Sequence, residues 1–501
     1  GRASRRFPVY TRGNSGEVYP EVVFPLSASM SATLAGDPAR DAMLVTGIMA
    51  AAECDEDADV HMGVFGGYTY LNLSVSRVLA VRTPGATIAE TDATFLGSEG
   101  VASPHRPQRT DRNLWATLRG IRYGFSILGG GRLSGIDADR SEVEAWRRSL
   151  PDMTTASDDE LVALVEDAIA MLGRMFINHL LVSGGAGAVL GLLRRVCEKR
   201  LGDTQLVLSL LGGLGDVASA EPSWELWDLG RIVAGSSELT ANFDAGLEGL
   251  EERLRADPAA APFLGAFDGF LARHGARGPN EWEMACEVWD TDHRFPLALV
   301  DRMRVAGPDH APAARAERLA TGRRAALADA RSRLRGRHLR WFERCLASAE
   351  SHTRAREAGK TLLVEIIHEC RLALRELGRR LAERGGGAPD DLWYVLYSEL
   401  DDYRRDPSSF GEVVAGRRRT REALSGLVPP FVFDGEVPPV ATWKRRAGSE
   451  VVPVPVGSIL TGIGGCPGVA RGRARVVLDP ARPGDLGPGD VLIAPITDPS
   501  W

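Results

Sequence analysis

The sequence predicts a mainly α protein, one large helical domain followed by the truncated start of a small β-containing domain. Three observations carry that expectation. Residues 312–384 are rich in Ala, Leu, Arg and Glu without an internal proline, the composition of long packed helices. Between 159 and 275, apolar residues recur at helical spacing in segments parted by glycine- or proline-bearing turns. After 428 the composition shifts to proline clusters and then to alternating, strand-like stretches.

Taken in order, residues 1–40 read as loop, with Pro8, Pro20 and Pro25 among several glycines. Helices are predicted over 159–200 and 204–216; a Ser/Glu/Pro break at 219–223 precedes another helix, and 236–256 and 261–275 read as helices separated by a Pro-containing turn. Within 312–384 the glycines at 322 and 336 are the candidate breaks, giving two or three helices that stop at the glycines 385–387. Residues 390–402 (DDLWYVLYSELDD) form a short aromatic element. Six prolines in 428–457 mark a linker. Beyond it, RGRARVVLD, a Pro-Gly turn and DVLIAPI predict a β-hairpin. The expected division is therefore 1–427 helical domain, 428–457 linker and 458–501 an incomplete small domain, a piece too short to bury a core of its own.

Composition excludes several classes. With 44% hydrophobic and 25% charged residues, the 501-residue chain has the material for packed cores. A net charge of −7 offers no broad basic field, so no nucleic-acid partner is expected. Six cysteines without a CxxC pair suggest neither a disulfide framework nor a metal site, and a reducing, cytoplasmic setting fits them. The apolar run 179–193 falls short of the ~20 residues that span a bilayer, and no signal peptide opens the chain, so no membrane partner is expected. Only three of the 60 basic residues are lysines, Lys199, Lys360 and Lys444.

Common catalytic templates are absent. Ala358-Gly359-Lys360-Thr361 echoes the end of a phosphate-binding loop, but the required first glycine would be position 354, an arginine. His368-Glu369 has no second histidine one helical turn on, and no GxSxG occurs. More informative are Arg356, Lys360 and Arg371, which on a helix at ~100° per residue share one stripe. Such a stripe is either a clamp for phosphate or carboxylate, or a solvated face paired with Glu357, Glu365 or Glu376; on spacing alone the solvated face is the simpler reading. The segment RHGARGPNE (273–281) gathers Arg277 and Glu281 among glycines. It reads equally as a ligand-presenting loop or as a helix end with its turn. Arg12 and Glu17 sit in a similar polar, glycine-bearing stretch, YTRGNSGEV, which an ordinary surface turn also explains. His179, on an apolar helix, is the kind of histidine more often found satisfied in a core.

Together these stretches resemble a known family. TRGNSGEVYPEVVFPL, HGARGPNEWEM and REAGK, the last continuing into RLALRELGRRLAERGGGAPDDLWYVLYSEL, are similar to the central domain of rifampin phosphotransferases and related phosphoenolpyruvate-synthase-like proteins. The closing GIGGCPGVARGRARVVLDPARPGDLGPGDVLIAPITDPSW resembles the first half of the swivelling β/β/α phosphohistidine domain of phosphoenolpyruvate-utilising enzymes. The resemblance implies a phosphoryl group moving from ATP, or from phosphoenolpyruvate, through a phosphohistidine to a small-molecule acceptor, bulky and apolar in the rifampin enzymes. This chain would supply the acceptor-binding domain.

The same resemblance implies an ATP-grasp domain or subunit as partner, with Mg-ATP bound there and no cofactor or metal in this chain. The chain as read stops before the family's Gly-Gly-x-x-Ser-His segment, so it is expected not to carry the phosphoryl group itself. The family's RExxK motif falls on Arg356 and Lys360 and implies catalytic roles for both, which turns the balance towards the clamp. Arg277, Glu281, Arg371, Arg12 and Glu17 become substrate-binding candidates. Two rival readings stay open: a non-catalytic small-molecule-binding module, and one subunit of a split phosphotransferase.

Overall fold

The computed structural model describes residues 1–31, 36–54, 58–83, 86–96, 102–131, 133–215, 220–446, 457–459, 469–477, 486–487 and 489–494. It is 67% helical, with few small sheets, in keeping with the mainly α expectation. The chain divides into two compact units. The first comprises 1–185, 282–285 and 366–464, the second 186–281, 286–365 and 465–501. Two long helices, Asp158–Val196 and Gly336–Leu381, contribute residues to both.

The first unit opens not as loop but on strand β1, Val9–Thr11, and the short helices Ser15–Val18 and Pro25–Ser31. Prolines hid this, because a proline at the first turn of a helix starts it rather than breaks it. Strands β2 (Met62–Phe65) and β3 (Tyr68–Asn72) follow, then β4 (Leu427–Val428) and β5 (Val432–Asp434). An antiparallel sheet forms in the order β2-β3-β1-β5, with Tyr10 opposite both Asn72 and Phe433. One face gathers aromatic rings: Tyr10 stacks on Phe433 at 5.2 Å, and Phe65 and Tyr70 pack edge-on to Phe433. Trp443 joins the same core, and β6 (Lys444–Arg445) pairs with β4. Over its described part, 428–446, the expected linker is therefore sheet and core. Its prolines flank edge strands, where a missing N–H costs nothing.

The helical expectations hold with refinements. Helix Asp158–Val196 matches 159–200, and its continuation to Leu201 is, among the described residues, long and apolar enough to cross a membrane by length and composition, with 33% of its most apolar window buried. The uninterrupted run 179–193 understated that length. In the second unit, 236–256 is two helices, Ser237–Asp244 and Leu250–Ala256, because Gly246 and Gly249 lie at φ 96° and 63°. Gly336, at φ 56°, is the break between Pro312–Arg333 and Gly336–Leu381, whereas Gly322 continues its helix. The second unit's core is Phe263, Phe267, Phe270, Trp289, Leu297 and Val300 with their neighbours.

At the chain's end, β7 (Arg473–Val476) and β8 (Asp490–Ile493) pair in parallel, so the predicted hairpin is not formed. The intervening residues 477–489 number about a dozen, the least a parallel crossover needs. The Pro-Gly pair read as a hairpin turn lies outside the described residues.

Two measurements test this packing. Gly230 lies in helix Glu221–Ala234, where an added Cβ would come 2.8 Å from the Arg304 amide nitrogen on helix Arg294–Val305. Gly230→Ala is expected to lower unfolding stability by about 1–3 kcal/mol through overpacking; an unchanged urea midpoint would refute the close approach. His61 is buried in the first unit, and burial, aided by the charge of Arg40, pushes its imidazole down to about 4. Folded His61 thus stays neutral while the unfolded chain protonates it near pH 6.5. Its contribution is neutral above that pH and becomes a penalty growing to about 3 kcal/mol as pH falls from 6.5 to 4. His61→Gln should flatten the decline of stability between pH 6.5 and 4 relative to the native sequence; parallel curves would show that His61 is protonated when folded.

Candidate functional site

The site is built on the loop that follows helix Ala261–His274 in the second unit. Two backbone stretches of this loop hold one another. The Arg277 carbonyl accepts from Trp289 N at 2.8 Å, the Gly275 carbonyl from Asp290 N at 3.0 Å, and Arg277 N donates to the His274 carbonyl at 2.9 Å. Trp289 is 1% exposed and stacks on Phe270 with centroids 5.6 Å apart, which anchors the loop to the core. A Cβ at Gly278 would stand 2.9 Å from Val288 Cα, so the two stretches approach more closely than a side chain allows. Asn280 takes the left-handed conformation, φ 57°, that asparagine tolerates better than most residues.

That geometry delivers Arg277 and Glu281 to one place, both buried. Arg277 Nε lies 2.9 Å from Glu281 Oε2, and Lys360 Nζ, from helix Gly336–Leu381, lies 3.0 Å from Glu281 Oε1. One carboxylate therefore bridges two cations and leaves the trio a net charge of about +1. Lys360 is the accessible member, its side chain 36% exposed against 5% for Glu281. Arg356, one turn earlier on the helix, is half exposed and turns to its neighbour Glu357 at 2.8 Å. One turn earlier again, His352 is wholly buried, with Nδ1 2.8 Å from the Ser348 carbonyl and no hydrogen-bond partner at Nε2.

The remaining candidates belong to the first unit. Arg371 is 0% exposed, and its guanidinium donates to the carbonyls of Met284 and Glu283, both at 3.2 Å. Its stripe-mate Lys360 meets a carboxylate; Arg371 holds backbone. Arg12 is buried with its guanidinium 4.7 Å from the Tyr68 ring centroid, donating to the carbonyls of Tyr19 and Pro20. Burial lowers its pKa from the ordinary arginine value. Glu17 is exposed on helix Ser15–Val18. His179 is partly exposed, its ring over Phe176 at 6.1 Å.

Sequence reasoning passed over Glu283. It is buried, accepts from Phe24 N and Ala285 N at 3.2 Å each and from the Ser27 hydroxyl, and burial raises its pKa although these hydrogen bonds oppose the rise. Its signal was the second acid of NEWEM, two residues after Glu281. Among the described residues no group of three or more His, Cys, Asp or Glu is placed to hold a metal ion.

Comparison with known proteins defines the class. Residues 179–357 match the family described as the rifampicin phosphotransferase fourth domain. The match and the named relatives support a rifampin phosphotransferase-like family of phosphoenolpyruvate-utilising proteins. Arg277, Glu281 and Arg356 lie inside the matched stretch, and Lys360 lies just beyond it.

Among individual relatives, an uncharacterized protein of Mycobacterium tuberculosis is 28% identical over 513 residues, 98% of this chain and 54% of its own length. A rifampicin phosphotransferase of a Streptomyces species is 29% identical over 378 residues, 72% of this chain and 42% of that one. The prodigiosin synthesizing transferase PigC of Serratia marcescens is 25% identical over 482 residues, 89% of this chain and 51% of PigC. The chain spans about half the length of these curated relatives.

Removing Glu281 tests the bridge. Glu281→Gln leaves buried Arg277 without a counter-charge and is expected to cost about 3 kcal/mol of unfolding stability. Lys360→Met leaves the buried pair intact and should cost under about 1 kcal/mol. Equal losses in chemical denaturation would contradict the arrangement.

Proposed function

We propose that this chain is the acceptor side of a two-step phosphotransferase. In this reading a phosphoryl group passes from ATP, or from phosphoenolpyruvate, to a histidine, and from that phosphohistidine to a hydroxyl of a small organic acceptor. The observation that carries the proposal is the accessible Lys360 held by a Glu281 that Arg277 already neutralises, in a chain of this family. The names of two relatives, rifampicin phosphotransferase and prodigiosin synthesizing transferase, support an organic small-molecule acceptor, bulky and apolar. Residues 458–501 are proposed as the opening of the phosphohistidine domain. The ATP-grasp domain or subunit, with its Mg-ATP, is proposed as the partner in a cytoplasmic reaction.

The chemistry follows from charge. A phosphoryl group in transfer spreads negative charge over three oxygens while the P–N bond to histidine breaks and the P–O bond to the acceptor forms. The electron pair of the broken bond stays on the imidazole nitrogen, which is left able to take up the proton that the acceptor hydroxyl gives up. Lys360 can exchange its carboxylate contact for a phosphoryl oxygen, because Arg277 keeps Glu281 paired. Arg356, half exposed on the same helix, adds a second cation without desolvation of a buried group. Cations already in place when charge develops need no reorganisation, which is the source of their catalytic value.

The test uses the parent protein together with its ATP-grasp part. Lys360→Ala or Arg356→Ala is expected to slow phosphoryl transfer to the acceptor by about 100-fold or more, the scale for losing one charge-stabilising donor. Histidine phosphorylation by labelled ATP should remain largely intact. If both half-reactions survive either change, the two cations do not serve the acceptor step.

A further inference from the structure

Helix Leu114–Leu128 (LWATLRGIRYGFSIL) stands against the usual order of a surface helix, which turns its apolar stripe inward. It docks in the first unit by its small face. Ala116 and Ile127 are buried, a Cβ on Gly120 would touch Ile48 at 3.7 Å, and the Tyr123 hydroxyl donates to the Leu181 carbonyl at 2.7 Å. The larger apolar residues point outward: Leu114 is 71% exposed, Trp115 72%, Leu118 45%, Ile121 36% and Phe125 67%. Leu114, Leu118, Ile121 and Phe125 fall within about 60° of one another around the helix, a continuous ridge.

Charge sets this ridge apart from the rest of the chain. Arg106, Arg109 and Arg112 lead into the helix, Arg119 and Arg122 lie along it, and all five are exposed. Among the described residues none of the five enters an ion pair, and residues 112–136 contain no Asp or Glu in a chain of net charge −7. A convex ridge cannot enclose a small ligand as a pocket does. A second copy would set the same arginines against each other. An anionic bilayer surface answers both features at once, taking the Trp, Phe and Leu side chains among its acyl chains and the guanidinium groups among its phosphates.

We propose that helix Leu114–Leu128 and the arginine-bearing run before it dock the protein on an anionic membrane surface, the helix lying in the interface plane. The proposed contact lies on the membrane rather than crossing it, so it invokes no span. It rests on the first unit alone and stands independently of the phosphotransfer reading.

Sedimentation of the full chain with vesicles tests it. The protein is expected to pellet with phosphatidylcholine vesicles carrying about 30% phosphatidylglycerol, at least about tenfold more tightly than with pure phosphatidylcholine, and to be released by high salt. The double change Trp115→Ser with Phe125→Ser and the double change Arg119→Glu with Arg122→Glu should each abolish pelleting while leaving thermal unfolding unchanged, since all four residues are exposed. Failure of the native sequence to pellet with anionic vesicles overturns the proposal. Equal pelleting by the native chain and either well-folded variant overturns it as well. A native chain that self-associates in light scattering, losing this with Trp115→Ser, assigns the ridge to a second copy and overturns it.

Discussion

A buried carboxylate between two cations is the constraint around which the candidate site is arranged. Glu281 is 4% exposed and Arg277 6%, so neither charge could stay in that environment alone. Their pairing adds to the backbone hydrogen bonds that hold the loop 275–281. Lys360 then meets a carboxylate whose charge Arg277 already compensates.

The helical frame was legible because its signals are local. The stretch 312–384, with no proline after Pro312, and the apolar periodicity of 159–200 fix helices through backbone hydrogen bonds and side-chain spacing alone. What escaped was non-local. Tyr10 and Phe433 are neighbours only because β1 and β5 pair across more than 400 residues of chain, and no window of sequence contains both. The same limit misread 428–446 as a linker. The parallel pairing of β7 and β8 was misread for a different reason: a Pro-Gly pair is a turn signal, but it does not say whether the chain turns back on its own strand or crosses over.

Within the site, residue types were legible and their partners were not. Helical spacing put Arg356, Lys360 and Arg371 on one stripe, yet the three have different environments. Arg356 pairs with the adjacent Glu357, Lys360 reaches Glu281 from far along the chain, and Arg371 is sealed against the carbonyls of Glu283 and Met284. A stripe describes direction around one helix. What covers the stripe at each turn depends on segments remote in sequence, and that decides whether a cation serves solvent, ligand or backbone.

The scarcity of lysine sharpens the contrast between Arg371, Arg12 and Lys360. A guanidinium is a rigid planar fork that can bond two carbonyls at once, and both buried arginines are used in that way. Such groups are fastened, and exchanging either for an ammonium would leave carbonyls unpaired. An ammonium on a four-carbon stem makes a point contact and gives it up at smaller cost. In a chain that places arginine at 57 of its 60 basic positions, Lys360 supplies a point charge where most positions carry a fork. On the proposed phosphotransfer reading, that suits a cation that meets its anion in one step and lets it go in the next.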